Sequence, residues 1–260
     1  MNTTVIDGRF IKTVERESNC VSVIGCSDVM ICGFTIKNSE ANGVYVEGSN
    51  NTITNNIIMF SLGCGIHIVG SRNTVTENNI KSNLKCGIYI IGSNSNVTNN
   101  IIKSNDNCGV YINGSDSTLT NNNVNFSLSH GIHIDGSRNT VVNNTINSNL
   151  ECGVRIVTGN DNLVRRNIIK DNEVGLRCEV TTEENIIYQN RFICNTIQAR
   201  DYGSNKWDDD YPYRPDEEKG GGNYWSNHSC VDICSGVNQD EYNCTSCCCK
   251  FIHAPDGICD

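Results

Sequence analysis

The 16 Cys of this 260-residue chain include two sets whose spacing could do chemistry. Seven crowd the C-terminal end as Cys230-x3-Cys234-x9-Cys244-x2-Cys247-Cys248-Cys249-x9-Cys259. Thiols at this density either close disulfides, as in small secreted modules, or ligate a tetrahedral metal. Cys230, Cys234, Cys244 and Cys247 have a spacing suited to zinc, and soft thiolates also suit copper. The adjacent triplet starting at Cys247 is unusual for a zinc finger, so disulfide staples stay open as the competing reading. Asp208, Asp209, Asp210 and the carboxylates of Asp256-Gly-Ile-Cys-Asp260 could bind calcium, against the plainer reading of a solvated acidic surface.

In the second set, Cys64, Cys86, Cys108 and Cys152 advance in steps of 22, with His130 filling the one missing step. Three readings compete: a buried ladder of thiols behaving as small hydrophobes, stacked disulfides, or a soft-metal column of copper or zinc that includes His130. Tyr45, His67, Tyr89, Tyr111, His133, Arg155 and Arg177 advance by the same step. Aromatic faces stack on sugar rings, and guanidinium groups pair with carboxylates, so this file is a candidate polysaccharide-binding face. The plainer reading is that aromatic residues are simply favoured in strands. Catalytic cleavage of a polysaccharide would call for paired carboxylates or a positioned base. Asp116 and Asp135, with His133 and Arg138 near them, are the set to consider, beside Glu47, Glu179 and Arg72.

The step of 22 comes from an internal repeat. Gly43, Gly65, Gly87, Gly109, Gly131, Gly153 and Gly175 stand 22 residues apart. An apolar residue follows each at one position, as Ile66 and Ile88, and at three positions for all but the last, as Ile68 and Ile90. A Gly-Ser turn comes next in five units, then a strand with Ile53, Val75, Val97, Leu119, Val141 and Leu163 inward. A third strand points Ile58, Ile80, Ile102, Val124, Ile146 and Ile168 inward. Apolar residues alternate, and no helical period is present. A unit this short has no core of its own and must bury its apolar face by stacking on its neighbours.

The fold class expected is therefore all-β: a right-handed parallel β-helix with about 22-residue coils over residues 1–200. An irregular, Cys-rich and aromatic cap should cover its end over residues 201–260. Stacking also accounts for the 40 Asn. Asn56, Asn78, Asn100, Asn122 and Asn144 share one repeat position; Asn83, Asn105 and Asn149 share another, with Ser61 and Ser127 in its gaps. A side-chain amide both donates and accepts, so such columns read as structural ladders. The stretch Val157-Thr158-Gly159-Asn160 carries one extra turn residue, with the phase restored by Gly175.

Composition narrows the partners. Lys+Arg number 20 against 29 Asp+Glu, a net charge of −9, which argues against nucleic acid because phosphate contacts need cations. No apolar run approaches the ~18 residues of a membrane span. A monomer is expected. The start, Met1-Asn-Thr-Thr-Val-Ile-Asp-Gly, has no basic n-region and no apolar h-region of a signal peptide.

The units Gly-Ile-x-Ile…Gly-Ser…Asn-x-Val-Thr-x-Asn-x-Ile resemble the repeats of NosD-type β-helix proteins. That family is named for a periplasmic copper-binding accessory protein and belongs to the wider pectin-lyase-like group. The tail motifs Asn205-Lys-Trp-Asp, Gly221-Gly-Asn-Tyr-Trp-Ser226, Val231-Asp-Ile-Cys-Ser-Gly-Val-Asn-Gln-Asp240 and Asp256-Gly-Ile-Cys-Asp260 are similar to the ends of surface-located members. Such relatives carry a signal peptide and run on past the last motif, so this chain is expected to be a fragment. The resemblance implies an extracytoplasmic protein at the cell surface or in the periplasm. The reading it supports is a non-catalytic scaffold with a glycan ligand. A polysaccharide lyase, epimerase or hydrolase, and a copper-handling accessory protein by family name, stand as alternatives.

Overall fold

The computed structural model describes residues 4–10, 18–207 and 222–226, together with the backbone of 251–253. The chain winds as a parallel β-helix. Every strand pairs in parallel with the strand one full coil away, so that three sheets run along one axis. Among the described residues, sheet 1 has ten strands, from Val21–Ile24 to Phe251–His253. Sheet 2 has nine, from Met30–Cys32 to Ser204–Lys206, and sheet 3 has ten, from Thr4–Asp7 to Tyr224–Trp225. Equivalent residues meet across the pairs: Ile88↔Val110, Val97↔Leu119 and Ile102↔Val124. Ile88, Ile90, Val97 and Ile102 are all fully buried, and their counterparts continue each column through the core.

The corners explain why the sequence closes on itself after 22 residues. In one coil Asn94, Asn99 and Ser104 adopt φ of 59°, 57° and 54°, a left-handed conformation that short polar residues tolerate. Each bend aims the next side chain inward: Ser95, Asn100 and Asn105, all buried. Asn100 is representative. Its Oδ1 accepts from the backbone N–H of Asn78 at 2.9 Å and from Asn78 Nδ2 at 3.1 Å. Its Nδ2 donates to Val75 O at 2.8 Å and to Asn122 Oδ1 at 3.0 Å. The first expected amide column is a continuous hydrogen-bonded ladder, whereas the second is interrupted between Asn105 and Ser127, where Asn105 Nδ2 and Ser127 Oγ have no partner among the described residues. A third, through Asn51, Asn73, Ser95, Ser117, Asn139, Asn162 and Asn185, turns the corner between sheets 1 and 2. The repeat glycines have a steric cause. A Cβ on Gly87 would sit 2.6 Å from Ile102 Cγ2 and 2.7 Å from Gly109 O.

The structure corrects the phase of one coil. Leu163 and Ile168 do not point inward; Val164 and Ile169 do, pairing with Val141 and Ile146. The extra residue after Ile156 shifts the register at Ile134/Asp135 and carries the next two strands forward by one. With a side-chain period of two, that single step exchanges the inward and outward faces. The shortened turn at Asn172-Glu173-Val174 then restores Gly175. At the far end, Trp225 stacks on Phe192 with centroids 4.6 Å apart and planes at 11°, and Trp207 packs beside both.

Asn100→Ala should lower unfolding stability by roughly 2–3 kcal/mol, because two buried donors on Asn78 and the Val75 carbonyl lose their partner. Asn96→Thr, at an exposed position where Thr74 and Thr118 stand in the adjacent coils, should cost well under about 1 kcal/mol. Urea denaturation of the two variants makes the comparison.

Candidate functional site

The outward positions of sheet 1 bring the predicted file together. Register pairs run Tyr45↔His67, His67↔Tyr89, Tyr89↔Tyr111, Tyr111↔His133, His133↔Arg155 and Arg155↔Arg177. All seven side chains are half-buried, each leaning on its neighbours. The five rings stand at successive centroid distances of 5.4, 4.9, 4.9 and 4.3 Å, ending in a stacked Tyr111–His133 pair at 20°. Beyond them the file becomes cationic, and Arg200 extends it by pairing with Arg177. Sequence reasoning missed Arg200 because the last coil departs from the 22-residue step.

Glu179 organises the cationic end. Its carboxylate accepts from Arg155 Nε at 2.8 Å and from Arg177 Nη2 at 3.0 Å, while the Arg177 guanidinium lies 5.3 Å over the Tyr202 ring. Glu47, at the other end, accepts from Tyr45 Oη at 3.3 Å. Asp135 is engaged by the Thr158 hydroxyl. Asp116 is held by Arg138 through two hydrogen bonds of 2.8 and 2.9 Å, which lower its pKa. Arg72 donates to Asn50 Oδ1.

The thiol column flanks the ring file. Cys64, Cys86, Cys108 and Cys152 are buried and free, and His130 occupies the same file at 5% exposure. Cys86 is pushed up to about 12 by the Cys108 thiol beside it and by burial, and Cys152 to about 12 by burial. Contact with Cys86 raises Cys64, whereas hydrogen bonding from Cys86 lowers Cys108. This is the buried-ladder arrangement; no disulfide joins these coils. The Cys152 N–H faces His130 Nδ1 at 3.3 Å, while Nε2 sits between Arg155 Nη1 at 3.1 Å and Glu151 Oε2 at 3.3 Å. The His133 ring lies 5.4 Å from that of His130, and its Nδ1 is 4.0 Å from Cys108 Sγ. Burial, followed by neighbouring positive charge, lowers His130 to about 3 and His133 to about 4. Both imidazoles are therefore neutral at neutral pH.

Among the described residues, no group of three or more His, Cys, Asp or Glu is arranged to hold a metal ion. The thiols form a file along the axis rather than a ring around a point. Cys230, Cys234, Cys244 and Cys247, the acidic Asp208, Asp209 and Asp210, and the Asp256 to Asp260 segment lie outside the described residues. No helix among the described residues is long and apolar enough to cross a membrane.

Coils of parallel strands in three sheets, with an outward file of rings and guanidinium groups on one of them, define a right-handed parallel β-helix protein. The family described as "Right handed beta helix region" matches residues 2–115. The family described as "Periplasmic copper-binding protein (NosD)" matches residues 82–230, and the chain belongs to that family. No curated protein matches the chain. Among solved structures, the periplasmic alginate epimerase AlgG is similar at 17% identity and a TM-score of 0.58, over 64% of this chain and 45% of that one. The enzymatically active domain of bacteriophage CBA120 tailspike protein 2 is similar at 11% identity and 0.56, over 81% and 40%. The A-module of the Azotobacter vinelandii mannuronan C-5 epimerase AlgE6 is similar at 11% identity and 0.52, over 79% and 74%. At these identities the likeness is one of fold, and the chain spans less than half the length of the first two structures.

The neutral histidines give the fold a pH dependence whose sign follows from linkage. Unfolded His titrates near 6.5, whereas His130 and His133 bind protons only near 3 and 4 in the folded state. Between those limits the unfolded chain holds more protons, so stability falls as pH falls from 6.5 and levels off below the folded values. Thermal melts should show a constant Tm between about pH 7 and 8 and a decline from pH 6.5 to about 4.5. His130→Cys, which installs the residue of the adjacent coils, should make that decline shallower.

Proposed function

We propose that this chain is a non-catalytic, extracytoplasmic β-helix scaffold that binds a glycan along the outward file of sheet 1. The observation that carries this reading is the unbroken succession of five rings, Tyr45 to His133, running into Arg155, Arg177 and Arg200. The rings offer stacking faces at the coil spacing of ~4.8 Å, and the guanidinium end favours an acidic sugar over a neutral one. The periplasmic family name supports an extracytoplasmic location, and the alginate epimerases among the structural neighbours support a polysaccharide partner.

A second reading, a uronate-processing enzyme, is favoured by the neutral His133 beside Arg155 and Glu179: a base next to cations that could offset a carboxylate. Incubation with uronate polymers and calcium tests it, with unsaturated or epimerised products as the signature. Copper handling, carried by the family name, finds no fitting ligand set among the described residues.

Binding to acidic polysaccharides, measured on a glycan array or by pull-down, should weaken in a Tyr89→Ala/Tyr111→Ala variant. At about 0.5–1.5 kcal/mol per stacked ring, the loss should be roughly 5- to 150-fold. Affinity unchanged by the double substitution would remove the file as the ligand face.

A further inference from the structure

The corner between sheets 3 and 1 carries an exposed apolar spine that the glycan face does not use. Six consecutive coils place Glu40, Leu62, Leu84, Asp106, Leu128 and Leu150 at one outward turn position, with Glu173 in the next. The four leucines are 53–63% exposed. Two residues earlier in each coil is the left-handed corner residue. Phe60 and Phe126 hold it, 51% and 56% exposed, while Ser82, Ser104, Ser148 and Asp171 hold it elsewhere. Phe60 and Phe126, Leu62 and Leu128, and Leu84 and Leu150 are each 66 residues apart, which is three coils. The leucine position thus has a three-coil period laid over the one-coil repeat: two leucines, then the acid Asp106, whose coil carries Lys103 in the column that Lys81 holds one coil before.

The two phenylalanines are costly where they stand. A left-handed backbone at φ of 59° and 56° disfavours a bulky residue, and more than half of each side chain remains in water in a single chain. Serine at the same position in adjacent coils shows that the fold does not require an aromatic there. Exposed apolar side chains repeated over adjacent coils on both sides of Asp106 mark an interaction site.

In place of the monomer expected from the sequence, we propose that this corner is a self-association edge and that its partner is a second copy of the chain. A rigid file of leucines at the coil spacing of ~4.8 Å is matched over five coils only by a surface of equal pitch, which a second solenoid supplies. The order of side chains is also self-complementary. About a two-fold axis crossing the solenoid at the level of Asp106, Leu62 meets Leu150 and Leu84 meets Leu128. Phe60 then meets Ser148, and Phe126 meets Ser82, so each ring faces a small residue and never another ring. Lys103 supplies the counter-charge where the two Asp106 carboxylates approach. Such a closed, isologous contact is the commonest kind in homo-oligomers.

Sedimentation velocity on the full chain, under reducing conditions that exclude cysteine cross-links, tests this. The wild-type chain should sediment at twice its 28.6 kDa mass. Phe126→Ser/Leu128→Asp should sediment at the single-chain mass with an unchanged circular dichroism spectrum. Both replacements are residues that already occupy these positions in adjacent coils, which protects the fold. Tyr89→Ala/Tyr111→Ala should stay dimeric, so that failure of the glycan reading and failure of this one are told apart. A monomeric wild type, or a dimer that survives the Phe126/Leu128 variant, overturns the proposal.

Discussion

The structure depends on one constraint: each residue must lie over its equivalent in the next coil, close enough for parallel strand hydrogen bonds. A coil by itself encloses too little apolar surface to be stable, so every coil is held by two neighbours. The inward amides enforce the register. Asn78, Asn100 and Asn122 each accept from the coil on one side and donate to the coil on the other while binding backbone carbonyls left open by the bend. A slip of one residue would bury strand polar groups, expose Ile and Val, and leave these amides without partners, at about 1–3 kcal/mol for each unsatisfied group.

The register that stacks the core also stacks the surface. Sheet 1 therefore presents files rather than isolated side chains: rings, then guanidinium groups, with thiols along one flank. Proximity within a file creates the chemistry of the face. His133 is stacked on Tyr111; its burial, followed by the charge of Arg155, keeps it neutral, and Glu179 holds Arg155 and Arg177 together. Membership of the NosD family goes with the scaffold and does not by itself say what these outward positions do.

Much of this was legible in the sequence because a solenoid turns spatial neighbours into residues at a constant separation. The step from Gly43 to Gly175 gave the coil, the inward columns, two amide ladders and the whole file from Tyr45 to Arg177. Reading failed where the step changed. The extra residue after Ile156 moved Val164 and Ile169 inward instead of Leu163 and Ile168, and the longer last coil hid Arg200. The third amide ladder was obscured because Ser95 and Ser117 interrupt its asparagines.

The sequence by itself determined the fold, the coil length and which residues share a column, since period and alternation alone dictate how identical units can bury their apolar faces. Only the tertiary structure decided what members of different columns do to one another. Glu179 clamps two arginines, Asp116 is paired with Arg138, His130 is met by the Cys152 amide, and the leucines of one corner are left facing outward. Those outcomes depend on rotamers, burial and distances across corners, which a repeat spacing does not encode.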